Sequence, residues 1–269
     1  MTDIEKVKTF WDNRPCNIRH GTSPIGSKEY FDEVETRKYF VEPHLPAFAN
    51  FEEWSGKDVL EVGCGLGTES INFVRAGANL TIVELSQKSL DLCKRRFEVY
   101  GLGATFILGN AEDVKTLVGG RKFDLIWSWG VIHHTPHPER VVNGIRSLLK
   151  PKGELRIMLY SKISYKMFWA MHTMNDWDMN RCGDIIRHHA EAQSGCPVAY
   201  TYSFTDVRKL LEGFQILEMK KDHIFTWDIP HYINHEYVRD AAWGNVSDED
   251  MAELERELGW HTLVKAKLF

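Results

Sequence analysis

A short apolar run at residues 58–62 (DVLEV) enters a turn holding three glycines in five residues, Gly63-Cys64-Gly65-Leu66-Gly67, and leaves it with helical spacing from Thr68. Few folds accommodate that order. The run reads as a buried strand, and glycines allow backbone angles and close approaches that a side chain would block. Strand, glycine turn and helix N-terminus together make a seat for a nucleotide-like ligand at the edge of a parallel sheet. The rhythm then repeats. Strands are expected at 80–83, 104–108, 123–128 and 154–159, with helices at 68–76, 86–99 (capped by Ser86) and 138–149 between them. Such alternation means βαβ units and helices on both faces of the sheet.

Outside this stretch the pattern loosens. The first fifty residues read as irregular, punctuated by Pro15, Pro24, Pro43 and Pro46. Residues 161–203 are rich in His, Trp and Met and read as helical excursions. A short helix at 205–211, with Ser203 or Thr205 as its cap, and strands at 214–221 and 259–268 follow. An aromatic and acidic insertion lies at 222–258. The expected organisation is an N-terminal extension or lid (1–50) and one α/β domain (51–269) with insertions at about 161–203 and 222–258.

Composition excludes several function classes. The chain has 269 residues, with 33 Lys plus Arg against 38 Asp plus Glu, a net charge of -5. No basic block appears, which argues against avid binding to nucleic acid or anionic membrane. No apolar run reaches the roughly 18 residues of a membrane span. The mixed-charge opening residues do not read as an export signal. Five cysteines (Cys16, Cys64, Cys93, Cys182, Cys196) without a C-x-x-C pair fit reduced thiols in a cytoplasmic protein.

Glu84, ending the second strand, suits a ribose, since a carboxylate accepts from both hydroxyls. A dinucleotide fingerprint would need glycine at position 68, where Thr68 stands. The turn Glu61-Val62-Gly63-Cys64-Gly65-Leu66-Gly67-Thr68, with Val83-Glu84-Leu85-Ser86, resembles the class I S-adenosylmethionine-dependent methyltransferases. So do Gly109-Asn110-Ala111-Glu112-Asp113, the run 123–128 with Val131-Ile132-His133-His134, and Leu148-Leu149-Lys150-Pro151-Lys152-Gly153. Order and spacing agree over roughly residues 57–160. The resemblance implies a doubly wound, mostly parallel seven-stranded sheet of Rossmann-like methyltransferase type, closed by an antiparallel C-terminal pair and carrying helical lid insertions. It implies S-adenosylmethionine as cofactor.

Carried over, Gly63, Cys64, Gly65 and Gly67 lie against the methionyl and ribose parts. Glu84 takes the ribose hydroxyls and Leu85 packs on the adenine. Asn110 accepts from the adenine amino group where the family often has Asp, Ala111 offers its N–H, and Glu112 is nearby. Ser128, closing the fourth strand, belongs to the same cofactor side. Arg14 or Arg19 is a candidate partner for the methionyl carboxylate, and the segment around them either closes over the cofactor or packs at the surface through Trp11.

A sulfonium methyl is already activated, so alignment of the nucleophile is the main task, and a base is needed only for a protonated one. His133 is the first candidate base and His134 the second, since sequence does not say which ring enters the pocket. Paired histidines at 133–134 and 188–189, and His231 with His235, lack a third ligand at metal spacing, so no metal is expected. Ser128-Trp129-Gly130-Val131 replaces the N/D-P-P-Y/F run of enzymes that methylate base nitrogens. Tyr160, Tyr165, Trp169, Trp177, Trp227, Tyr232 and Tyr237 are available to enclose a small organic acceptor, with Arg37 and Tyr39 at its entrance. The expected reaction is methyl transfer to N or O of a small or medium organic substrate. The alternatives are C-methylation of a quinone-like ring, a nicotinamide-dependent oxidoreductase, and a cofactor-binding module without transfer. Oligomeric state is open.

Overall fold

The computed structural model describes residues 1–193 and 195–269; Ser194, inside the expected 161–203 insertion, lies outside the described residues. Three helices come first: α1 (Asp3–Asn13), α2 (Lys28–Val41) and α3 (His44–Ala49). The alternating body follows as β1 (Asp58–Val62), α4 (Thr68–Arg75), β2 (Asn79–Glu84), α5 (Gln87–Tyr100), β3 (Thr105–Leu108), α6 (Val114–Leu117), β4 (Phe123–Trp129), α7 (Pro138–Arg146) and β5 (Leu149–Tyr160). Then come α8 (Tyr165–Met174), α9 (Cys182–Gln193), α10 (Phe204–Leu210), β6 (Phe214–Asp222), α11 (Ile229–Ile233), α12 (Asp248–Leu258) and β7 (His261–Leu268).

All seven strands form one sheet in the order β3-β2-β1-β4-β5-β7-β6. The first five are parallel, and β7 runs antiparallel between β5 and β6. This is the doubly wound arrangement expected. The strand order reverses between β1 and β4, and ligands of such sheets sit outside the carboxyl ends of the strands at that reversal. Alternation along β1 sends Leu60 and Val62 into the core beneath α7, while Val59 faces the core shared with α4 and α5.

Local signals explain the boundaries that the sequence gets right. The Ser86 hydroxyl accepts from the Ser89 N–H at 3.1 Å and starts α5, which Gly101 ends at φ 64. Ser203 rather than Thr205 caps α10, in a capping box with Asp206.

Three expectations are corrected. The first fifty residues are helical: Thr2 and Glu5 form a capping box, Ser27 caps α2, and Pro43 and Pro46 sit at the cap and first turn of α3, where proline is tolerated. Helix α7 stops at Arg146, because Leu149 already pairs with Phe123. Pro151 and Gly153 lie inside β5, at the irregularity where the register jumps from Phe123↔Leu149 to Leu125↔Glu154.

Among the described residues, no helix is long and apolar enough to cross a membrane.

Candidate active site

The carboxyl ends of β1, β2 and β4 open into a cavity of about 820 Å³. Pockets for organic ligands span about 300 to about 1,000 Å³, so this one lies toward the upper end of that range. Gly63, Cys64, Gly65 and Leu66 form its floor. Gly63 is required twice over: its φ is +78, and a Cβ there would stand 2.3 Å from Val131 Cγ2. Gly67, also left-handed, packs on α5, where a Cβ would meet Cys93 Sγ at 2.6 Å. It does not line the cavity, and its contribution is to the turn.

Parallel pairing of Val62 with Val83 brings the end of β2 beside this turn. Glu84 is thereby buried against it. Its Oε2 accepts from the N–H groups of Cys64 (2.9 Å) and Gly65 (3.4 Å), and its Oε1 accepts from Ser86 N–H (2.8 Å). Burial raises its carboxyl above the usual range, and the same N–H groups oppose that rise. Glu84 and Leu85 both line the cavity.

A second carboxylate occupies the start of α4. Glu69 is buried and its Oε2 meets Lys38 Nζ at 2.7 Å. The positive end of the α4 dipole therefore already faces an anion inside the cavity wall. Period-two alternation sends Glu61 to the same side of the sheet, where the Ser70 hydroxyl of α4 donates to its Oε2. Fully buried and close to the Glu69 charge, Glu61 has its carboxyl pushed up to about 8.

Gly109, Asn110 and Ala111 line the far side. The Asn110 Oδ1 accepts from Glu112 N–H at 3.1 Å, and its second lone pair is what remains for a ligand. Two expected contact residues are placed elsewhere. The Glu112 carboxylate turns to the start of α7, accepting from His137 N–H at 3.1 Å and meeting Arg140 at 3.4 Å. Strand parity turns Ser128 away from Trp127 and Trp129, and its hydroxyl donates to the Val62 carbonyl at 3.1 Å. Neither lines the cavity.

The loop after β4 forms a tight 3₁₀ turn, Ile132–His134, in which successive side chains diverge by about 120°. This separates the two histidines. His133, first in the sequence reading, is wholly buried, with its ring centroid 3.7 Å from that of Tyr160; it does not line the cavity. Burial and the neighbouring His134 hold it well below the usual imidazole range. His134 lines the cavity, with its Nδ1 2.7 Å from the Val198 carbonyl. A carbonyl only accepts, so Nδ1 is the donor in that bond.

The N-terminal segment builds a further wall from Trp11, Arg14, Cys16, Arg19 and His20. The Trp11 ring stands edge-on to His134 at 5.5 Å. The Asp12 carboxylate accepts from the Ser86 hydroxyl at 2.8 Å, tying α1 to the start of α5. Of the expected aromatics, Tyr160, Tyr165, Trp169, Trp227 and Tyr232 line the cavity, whereas Trp177 and Tyr237 do not.

Several lining residues escape a sequence reading. Lys38 and Glu69 pair across 31 positions, and Trp129 Nε1 donates to Glu42 at 3.0 Å across 87. Glu69 had a local signal, an acid in the first turn after the glycines. Lys166 lies beside Trp169 with its amine pushed down to about 8 by burial. His223 and His261 line the cavity, and His44 Nε2 lies 3.0 Å from His261 Nδ1. Among the described residues, no three His, Cys, Asp or Glu side chains are disposed to hold a metal ion. His231 and His235 do not share a helical face, because α11 ends at Ile233.

Comparison with known proteins agrees with this geometry. Residues 59–153 match a family described as "Methyltransferase domain". A ubiquinone biosynthesis O-methyltransferase of Actinobacillus pleuropneumoniae serotype 7 (strain AP76) is 35% identical over 103 residues, 37% of this chain and 44% of that protein. Its namesake in Coxiella burnetii (strain Dugway 5J108-111) is 33% identical over 101 residues, 37% and 42% of the two chains. The chain thus spans less than half the length of these curated relatives. Among solved structures, magnesium protoporphyrin IX methyltransferase from Synechocystis PCC 6803 with bound SAH superposes at a TM-score of 0.61. It has 16% identity and covers 98% of this chain and 99% of that one. The PH0226 protein from Pyrococcus horikoshii OT3 gives 0.55 at 16% identity, over 97% and 99%. These structural matches establish the fold.

Proposed function

We propose that this chain, whose residues 59–153 match a family described as "Methyltransferase domain", is a class I S-adenosylmethionine-dependent methyltransferase that methylates a small or medium organic acceptor at oxygen or nitrogen. The observation that carries the reading is the pair of carboxylates at the glycine turn. Glu84 stands where a ribose would need two acceptors, and Glu69 fills the helix N-terminus where a dinucleotide would place its pyrophosphate. With that position already taken by the Glu69–Lys38 pair, a ligand with a ribose and no phosphate is the better fit, which favours S-adenosylmethionine over a nicotinamide cofactor.

When bound, S-adenosylmethionine supplies an electrophilic methyl group on a sulfonium. The residues of this chain fit it: Gly63, Cys64 and Gly65 leave room for close approach, Glu84 offers its carboxylate, and Leu85, Asn110 and Ala111 frame the adenine side. Arg14 and Arg19, on the N-terminal wall of the cavity, suit a methionyl carboxylate. Aromatic side chains of the two insertions, with α1, exclude water and orient the acceptor. His134, held through its Nδ1 by the Val198 carbonyl, is the base for an acceptor that arrives protonated. Oxygen is the favoured acceptor atom, since the relatives named above are O-methyltransferases.

Calorimetry with S-adenosylhomocysteine and with NAD tests the cofactor. Micromolar binding of the first and none of the second is expected; the reverse overturns the reading. A screen of phenols and amines with methyl-labelled cofactor then tests transfer.

A further inference from the structure

Arg37 and Lys38 are consecutive on α2 and therefore point about 100° apart. Lys38 turns to the sheet and its partner Glu69. Arg37 turns the other way, into the insertion after β6. Its Nη2 donates to the Tyr232 carbonyl at 2.5 Å, and its guanidinium lies 4.2 Å over the Tyr232 ring and 5.8 Å from that of Tyr237. Only 4% of Arg37 is exposed, yet it lines the cavity.

Among the described residues, no carboxylate stands within ion-pair distance of Arg37, and its Nε and Nη1 have no hydrogen-bond partner. A guanidinium carries five N–H donors, and buried charge without a counter-ion is costly. His20 repeats the pattern at the other end of Tyr232. Its Nδ1 is buried without a partner, and its Nε2 lies 3.4 Å from the Tyr232 hydroxyl. Burial and the charges of Arg37 and Lys38 hold it down to about 3, so it is a neutral ring with one N–H to donate.

We propose that Arg37, with His20 beside it on Tyr232, is the subsite for an anionic group, a carboxylate or comparable oxyanion, carried by the methyl acceptor. The assignment rests on the methyltransferase reading above and names the acceptor's chemical class. The contacts of Arg37 belong to residues 222–258, the same insertion whose Phe225, Trp227 and Ile233 give the cavity its apolar lining. An acidic head at Arg37 and an aromatic body along that lining make an aromatic acid the best-fitting shape. The planar fork of arginine holds a carboxylate through two parallel bonds, which a neutral amide cannot reproduce.

The test is calorimetry on the whole chain with matched probes: para-hydroxybenzoate against para-hydroxybenzamide, and ortho-aminobenzoate against its amide. Each is titrated with and without S-adenosylhomocysteine. The wild type is expected to hold the acids roughly 10- to 100-fold more tightly than the amides. Arg37→Gln should erase that preference and leave S-adenosylhomocysteine binding unchanged, while Arg37→Lys should keep part of it. Equal affinity of acid and amide for the wild type overturns the proposal without needing any variant to fold. So does a preference that survives in Arg37→Gln. A loss of S-adenosylhomocysteine affinity in Arg37→Gln of roughly tenfold or more assigns the charge to the cofactor's own carboxylate and also overturns it. A wild type that binds no S-adenosylhomocysteine refutes the cofactor reading instead, and the acid-against-amide comparison is then still read in its absence.

Discussion

Replacing Glu61 by Gln should remove a pH-dependent weakness from the core. Glu61 is fully buried beneath the glycine turn, hydrogen-bonded to Ser70, with its carboxyl raised from 4.5 to about 8 by burial and by the Glu69 charge. Between those values the folded chain binds a proton that the unfolded chain has released. Stability therefore falls as pH rises from about 4.5 and levels off above about 8. The full difference is about 5 kcal/mol at 1.36 kcal/mol per unit, of which about 3.5 kcal/mol falls between about pH 5 and about pH 8. Glutamine copies the shape of the protonated acid and does not titrate. Urea unfolding followed by tryptophan fluorescence, run on both proteins across that range, isolates the contribution of Glu61 and its coupling to its neighbours, because groups that do not interact with it cancel in the difference. The wild type should lose ground steadily to Glu61→Gln as pH rises. Curves that stay parallel to within about 0.5 kcal/mol, the scale of an ordinary surface change, would refute the reasoning.

Other expected outcomes bear on the site. Glu84→Ala should weaken S-adenosylhomocysteine binding by roughly 100-fold or more in calorimetry, since charge-assisted bonds to both ribose hydroxyls are lost with it. His134→Ala should lower turnover on a phenolic acceptor by roughly 10²- to 10⁴-fold with cofactor affinity intact. His133→Ala should act mainly on stability, by about 3 kcal/mol in urea unfolding, because it empties a packed site against Tyr160. Gly63→Ala should cost about 1–3 kcal/mol and abolish cofactor binding. Adding Val131→Ala should recover part of the stability, because the clash at 2.3 Å is with the Val131 methyl group.

What the sequence shows plainly is what local chemistry decides. The glycine turn, the Ser86 cap and the strand–helix rhythm each depend on neighbours a few residues apart. The N-terminal helices were hidden for a physical reason. Helix α2 buries Arg37 and Lys38 along with Tyr30, Phe31 and Val34, so its inner face does not read as apolar. The groups those two side chains meet lie 195 and 31 positions away. Ser128 and His133 show the other difficulty. One is decided by the parity of a strand and the other by the third of a turn it occupies, and a shift of one residue in either would reverse the outcome.

The buried Lys38–Glu69 pair also bears on how this protein can be divided. The recognisable methyltransferase segment, residues 59–153, looks like a portable module, but it is not electrically self-contained. Glu69 draws its counter-charge from α2, and the wholly buried Arg96 draws both a carboxylate, from Glu35, and a carbonyl, from Phe31. Grafted onto another scaffold without residues 28–41, the segment would lose the partners of one anion and one cation and the helix that covers them. Exchange of parts between this chain and its relatives should therefore succeed only when the helix and the segment travel together.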